Sequence, residues 1–288
     1  MNRSFSEVTK EYIEKVVGKA EKNRIVFDEK FYKTLIFFIY EKANKNLRIK
    51  LNKLIMKLFV TGSSGYIGNE LIKHLHKKGF EIVKYDLAIG RDILDYNKLR
   101  QMMSGCNVVV HLAAIRGPYE NKTFLDYFKI NCQGTLNVAQ AAVENKIKRL
   151  VYTSSTTYYG VEKGIPFIRP IKESNPTITQ YTKPEDLSCR DCDIAYSTSK
   201  VIAEQILANY GLTKKLEVII LRLGPIGGKP NEYWSVDGIT LKIENALQAL
   251  ELAITTKKKL WYEAFTITDE LPNVDLTKAK KVLGYKPK

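Results

Sequence analysis

From position 56 onward, short apolar runs alternate with longer stretches in which apolar residues recur every three or four positions. The short runs are rich in β-branched side chains and read as strands buried on both faces: 57–61, 81–86, 107–112, 149–154 and 216–222, with Ala264-Phe-Thr-Ile-Thr268 a shorter one. The longer stretches predict helices near 66–78, 125–145, 196–210 and 238–256, and a closing helix from Leu276 to Leu283. Alternating strands and helices imply an α/β fold with a doubly wound parallel sheet, because a parallel crossover needs a dozen or more residues, usually helical, to return to the same edge. Between Gly160 and Ala195 the alternation breaks. That segment holds Pro166, Pro170, Pro176 and Pro184 with no clear period, which predicts a long loop serving as a lid or substrate contact.

Ahead of the alternation, Val8, Tyr12, Ile13, Val16 and Val17 recur at helical spacing and Phe31 to Tyr40 is denser in apolar residues. Residues 1–55 therefore read as two or three amphipathic helices, a helical N-terminal extension to a domain at 56–288. Within that domain, 160–195 and 223–288 are expected to supply most of a small substrate-binding part. The extension is an appendage, an oligomerisation element or upstream sequence translated from a start other than Met56, and its apolar faces are compatible with a homodimer.

Composition narrows the class. The 288 residues are 44% hydrophobic and 27% charged, which suits a globular core. The apolar run Leu35-Ile-Phe-Phe-Ile-Tyr40 is too short to span a bilayer, and Met1 to Lys10 lacks the apolar stretch of a signal peptide, so no membrane span and a cytoplasmic location are expected. The formal charge of +15 is concentrated at the start, with 13 Lys/Arg against 7 Asp/Glu in residues 1–55 and 33 against 24 in the remaining 233. Without aromatic and basic residues interleaved in a recognisable module, this reads as a solvated surface, and no nucleic-acid partner is expected. Cys106, Cys132, Cys189 and Cys192 form no secreted disulfide framework. Cys189-Arg-Asp-Cys192 lacks a second cysteine pair and His74 and His76 diverge on a helix, so no metal is expected. Those two histidines read as surface residues.

Two strings carry the chemistry. After the first strand comes Thr61-Gly-Ser-Ser-Gly-Tyr-Ile-Gly68, in which Gly62, Gly65 and Gly68 permit a tight turn into a helix whose first N–H groups, around Tyr66 and Ile67, face an anion. The next strand ends at Asp86, 18 positions after Gly68, where a carboxylate meets ribose hydroxyls and repels a 2′-phosphate. NAD is therefore expected over NADP, with Arg91 nearby as the opposing signal. In the second string, Tyr196-Ser-Thr-Ser-Lys200, Tyr196 and Lys200 stand four apart on one helical face. A phenol is a poor base near neutral pH unless a cation stabilises the phenolate, and an ammonium one turn away does so. The strand Arg149-Leu-Val-Tyr-Thr-Ser-Ser155 ends in hydroxyls where ligands of doubly wound sheets sit, making Ser155 a partner for the reacting oxygen, with Ser154 and Thr156 as substitutes. Tyr158 and Tyr159 either line the pocket or pack beneath the loop.

In this order, these residues resemble the extended short-chain dehydrogenase/reductase family, specifically its NAD-dependent epimerase/dehydratase group, over almost all of 56–288. The resemblance implies a Rossmann-type sheet in which Gly62, Gly65 and Gly68 line the pyrophosphate, Asp86 binds the adenosine ribose, and Asp92 with Ile93 contacts adenine. It places His111-Leu112-Ala113-Ala114 beside the cofactor, matches Asn131 to a helix asparagine, gives Ser155, Tyr196 and Lys200 the catalytic places, and sets Arg222 at the strand end flanking nicotinamide and substrate.

Two departures bear on substrate. Sugar-nucleotide 4,6-dehydratases of this family carry Thr-Asp-Glu where this chain has Ser155-Thr156-Thr157, so the acid for dehydration is missing. Only 66 residues follow Arg222, a short tail that resembles uronate dehydrogenases, including Lys229-Pro-Asn-Glu-Tyr233, although the arginine that holds their carboxylate is Trp234 here. The expectation is an NAD-dependent oxidoreductase or epimerase acting on a sugar, sugar acid or nucleotide sugar. The alternative is an NAD-binding regulatory or scaffold protein without turnover.

Overall fold

Six parallel strands form one sheet in the order β2-β1-β3-β4-β5-β6: β1 (Lys57–Thr61), β2 (Glu81–Tyr85), β3 (Val108–His111), β4 (Arg149–Ser155), β5 (Glu217–Leu223) and β6 (Tyr262–Ile267). The computed structural model describes residues 56–117, 121–162, 164–227 and 235–288. The helices expected over 1–55, and the 229–234 segment with Trp234, lie outside the described residues. Because the chain runs from β1 to β2 on one side and to β3 on the other, the C-terminal ends of β1 and β3 flank a topological switch, the crevice where doubly wound sheets take ligands.

Alternation along the strands divides the core. Leu58, Val60, Val110, Val151, Leu221 and Phe265 pack on one face, against helices α1 (Tyr66–His76) and α7 (Ile243–Thr255). Phe59, Val109, Leu150, Tyr152, Val218 and Ile220 pack on the other, against α4 (Gly134–Glu144) and α6 (Asp191–Leu212). At roughly 1.5–3 kcal/mol for each fully buried large apolar side chain, these two layers supply most of the driving force.

The helices differ from the pattern in instructive ways. The stretch expected as one helix over 125–145 is α3 (Phe124–Tyr127), a wide π-type turn at Phe128–Gln133, and α4. Asn131 is buried within that wide turn, and the Thr135 hydroxyl donates to its carbonyl at 2.6 Å. A helix absent from the sequence reading, α2 (Tyr96–Met102), is only seven residues long and is capped by Asp95, whose carboxylate accepts from Lys98 N at 3.1 Å. Helix α6 begins at Asp191 rather than 196, because Asp193 accepts from Arg190 N at 2.8 Å and two acids occupy the first turn. The 238–256 helix begins only at Ile243, where Asp269 accepts from Lys242 N at 3.0 Å, and the closing segment is a wide turn, Ala279–Leu283.

Segment 223–288 adds the edge strand β6, in parallel register with β5, and α7 on the core face, so much of it is scaffold rather than substrate part. A buried guanidinium locks the lower end of the sheet. Arg149 donates to Glu217 at 2.6 and 3.0 Å and also to the carbonyls of Ala253, Ile254 and Thr256, the C-terminal turn of α7. His74, expected at the surface, is half-buried with Nε2 2.9 Å from Glu251 of α7, which Lys78 also pairs with. Between residues 164 and 190 the chain is a loop tied by its own hydrogen bonds: Asn175 donates to the carbonyls of Ile168 and Pro170, and a short turn, α5 (Ile178–Tyr181), brings the Tyr181 hydroxyl to the Pro166 carbonyl at 2.9 Å. Among the described residues no helix is long and apolar enough to cross a membrane.

Candidate active site

At the switch crevice the glycine turn is set by close approach. Gly62 has φ +67°, and a Cβ there would lie 2.6 Å from Ala113 N and 2.7 Å from the Leu112 carbonyl carbon. A Cβ on Gly68 would lie 2.2 Å from the Gly62 oxygen, so this residue lets α1 press against the turn. Gly65 is the N-cap of α1, without a side-chain cap and with no acid in the first turn. The start of α1 thus brings helix-dipole charge to the crevice, which fits an anion such as a pyrophosphate. Leu112, Ala113 and Ala114 follow β3 as the opposite, half-buried wall.

Asp86 stands just after β2, half-buried. Its carboxylate accepts from Ser64 N at 2.9 Å and from Ala88 N at 2.8 Å, which ties the glycine turn to β2 and leaves further lone pairs. Arg91 is turned back onto the Lys84 carbonyl. Asp92 accepts from Leu94 N at 2.9 Å. Ile93 differs from the expectation: its side chain is buried in the core where a Cβ on Gly134 would meet its Cδ1 at 2.4 Å, and its carbonyl accepts from Asn137 Nδ2 at 3.1 Å.

Ser155, at the end of β4, accepts from Thr157 N at 3.2 Å, and its side chain and the Gly117 backbone stand close enough to Tyr196 to favour the phenolate. Lys200 follows one turn later on α6, buried, with Nζ 5.9 Å from the Tyr196 ring centroid. Burial, with the Glu162 charge adding to it, pushes the Tyr196 phenol up to about 12. Burial also lowers the Lys200 ammonium to about 8, against the opposing pull of Glu204. This reverses the expected direction for the resting pair, because desolvation outweighs the attraction between phenolate and ammonium. Around the trio, Ser154, Thr156, Thr157 and Ser197 are buried with hydroxyls that have no hydrogen-bond partner among the described residues, and these neutral groups suit a hydroxylated ligand.

Two residues expected at the ligand are committed elsewhere. The Asn131 amide is spent on Ile115, accepting from its N at 2.8 Å and donating to its O at 3.1 Å, and on Ser199 Oγ at 2.9 Å. It clamps the segment after β3 to α6 rather than touching a cofactor through its side chain. Arg222 donates to Glu204 at 2.7 and 3.0 Å and to the Tyr159 hydroxyl at 2.7 Å, with its guanidinium 3.4 Å over the Tyr158 ring. It is 4% exposed, so its charge is neutralised within the protein instead of being offered to substrate. Tyr159 is accordingly a core residue and Tyr158 a platform. His111 is buried between Thr61 and Thr135, 2.7 and 3.0 Å away, and burial lowers it to about 3.

The geometry agrees with sequence comparison. A family model described as NAD dependent epimerase/dehydratase family matches residues 58–269, more than half of the chain. This chain belongs to that family. Within the NAD-dependent epimerase/dehydratase family it is similar to the UDP-glucose 4-epimerase of Erwinia amylovora, 28% identical over 199 residues, 60% of this chain and 54% of that protein. Matched regions span 31% to 54% of the length of three curated relatives, so the chain covers a third to about half of them. Among solved structures, the UDP-glucuronic acid 4-epimerase of Bacillus cereus in complex with NAD shares the fold at TM-score 0.63 and 20% identity, over 81% of this chain and 94% of that one. A mutated uronate dehydrogenase does so at 0.61 and 19%, over 81% and 82%.

Several site features escaped sequence reasoning. Gly117 reaches Tyr196 through its backbone, which no side-chain motif encodes. Glu162 acts on Tyr196 from the irregular loop, where spacing carries no period. Glu204, four residues after Lys200, continues the same helical face and was detectable by that spacing.

Proposed function

We propose that this chain transfers hydride between NAD and a secondary hydroxyl or carbonyl carbon of a nucleotide sugar, as an epimerase or dehydrogenase. The observation that carries the reading is the trio at the crevice: buried Tyr196 and Lys200 one turn apart on α6, with half-buried Ser155 at the end of β4 acting on the phenol. The uncapped start of α1 and the close-packed Gly62 and Gly68 would hold the pyrophosphate of NAD, and Asp86 the adenosine ribose. NAD supplies the hydride acceptor and donor when bound.

The chain's own residues handle the proton. Ser155 Oγ holds the reacting oxygen, and Tyr196 Oη removes its proton in oxidation and returns it in reduction. Below about pH 8 Lys200 keeps positive charge beneath the phenol. The orphaned hydroxyls of Ser154 and Thr156 take sugar hydroxyls. With Thr156 and Thr157 in place of Asp and Glu, no acid stands there to expel water, which favours epimerisation or net oxidation over dehydration.

Mass spectrometry of the nucleotide retained on purification, followed by incubation with UDP-sugars and free sugars, tests this reading. Retained NAD with interconversion of C4 epimers is the epimerase outcome, and NADH accumulation is the dehydrogenase outcome. A protein that binds no dinucleotide refutes both.

A further inference from the structure

We propose that Tyr152 is a positioning residue for Lys200: its phenol oxygen, with the Thr153 carbonyl beside it on β4, holds the lysine ammonium beneath Tyr196. This rests on the proposed hydride-transfer function for its catalytic meaning, though the contact itself does not.

Lys200 Nζ donates to Tyr152 Oη at 3.3 Å and to the Thr153 carbonyl at 3.0 Å, and lies 5.0 Å from the Tyr152 ring centroid. Two of the three ammonium N–H bonds are thus taken by β4, which fixes where the side chain ends. Tyr152 is 1% exposed, so its oxygen is kept from bulk water. A phenylalanine would fill the space equally well, so packing alone gives no reason for the hydroxyl.

The other charged or titratable groups around the lysine do not replace this contact. On α6, Glu204 is fully buried but already holds Arg222 of β5, and Tyr196 is protonated at neutral pH. Cys132 of the wide turn is a thiol raised to about 11 by burial, and His111 of β3 is neutral. Tyr262 of β6 faces Glu204, while Glu162 and Tyr127 face Tyr196. Tyr152 is thus the one neutral side-chain acceptor on the ammonium among the described residues.

Tyr152→Phe removes an acceptor from the charged form only, so the ammonium should lose its proton at lower pH. An NMR titration of lysine-labelled protein, with the Lys200 signal assigned through Lys200→Met, should show its midpoint fall by about one pH unit, the scale of one hydrogen bond to a charged group. In turnover, kcat for oxidation should fall about tenfold and the acid limb of its pH profile should move down with the titration, with KM and melting temperature little changed. A lost hydroxyl that mattered only for packing would lower melting temperature and leave the titration where it was. That result, or an unchanged midpoint with unchanged kcat, overturns the proposal. Should Tyr152→Phe fail to fold, 3-fluorotyrosine introduced at position 152 keeps the ring and the hydroxyl but weakens the oxygen as an acceptor. It should move the midpoint the same way by a smaller amount, and an unchanged midpoint there overturns the proposal. If wild type turns over no sugar but the midpoint still shifts, the functional reading fails while the contact stands.

Discussion

Tyr196 and Lys200 sit buried one turn apart, and desolvation drives their titrations in opposite directions, to about 12 and about 8. The first proton of the two therefore leaves near pH 8, from Lys200. Removing a proton from an alcohol requires the pair to have given one up, so oxidation should accelerate as pH rises through about 8 and reduction should slow across the same window, in a pH–rate profile taken both ways. Tyr196→Phe should keep NAD affinity and lose at least about 100-fold in kcat, since positioned acid–base catalysis contributes roughly 10² to 10⁴. Near-normal turnover would remove the phenol from the mechanism. Asp86→Ala should weaken NAD and let NADP compete, because a carboxylate that accepts from ribose hydroxyls also repels a phosphate there. Binding titrations with both dinucleotides decide it, and an unchanged preference would place the ribose elsewhere.

At the scale of elements, α7 and the lower ends of β4 and β5 are joined through one side chain. Arg149 neutralises Glu217 and caps three carbonyls of the α7 end while only 3% exposed. Arg149→Met should lower stability by roughly 3–5 kcal/mol, because it leaves a buried carboxylate without its counter-charge. Adding Glu217→Leu should recover part of that loss in chemical denaturation. If the double variant is no more stable than the single one, the cap rather than the ion pair carries the energy. The Asn131 clamp does comparable work at the other end of the sheet, joining the segment after β3 to the helix that bears Tyr196 and Lys200.

At the scale of the whole molecule, the described sheet begins at Lys57, and the described residues from Met56 onward cover both of its faces. A polypeptide starting at Met56 should therefore fold cooperatively and bind NAD, as judged by thermal melting and a binding titration. Insolubility or loss of cofactor would make residues 1–55 part of the core. The family match begins at residue 58, in keeping with this boundary.

Short apolar runs located the six strands, because the inner parallel strands are buried on both faces and the edge strands β2 and β6, though partly exposed, keep the same β-branched and aromatic residues. Local spacing also brought Tyr196 and Lys200 to one face, and the glycines of 62–68 announced a turn, since both depend on backbone geometry over a few residues. What depends on distant partners was decided only by tertiary structure. A lone arginine at the end of β5 reads as a ligand group until Glu204, 18 residues earlier, is seen to neutralise it. An asparagine reads as a cofactor contact until Ile115 and Ser199 are found to occupy its amide. The titration order of Tyr196 and Lys200 follows from burial, which no four-residue spacing reports. Hydrogen bonding and desolvation are set by what packs around a group from elsewhere in the chain, whereas turns, helix faces and apolar runs are written in neighbouring residues.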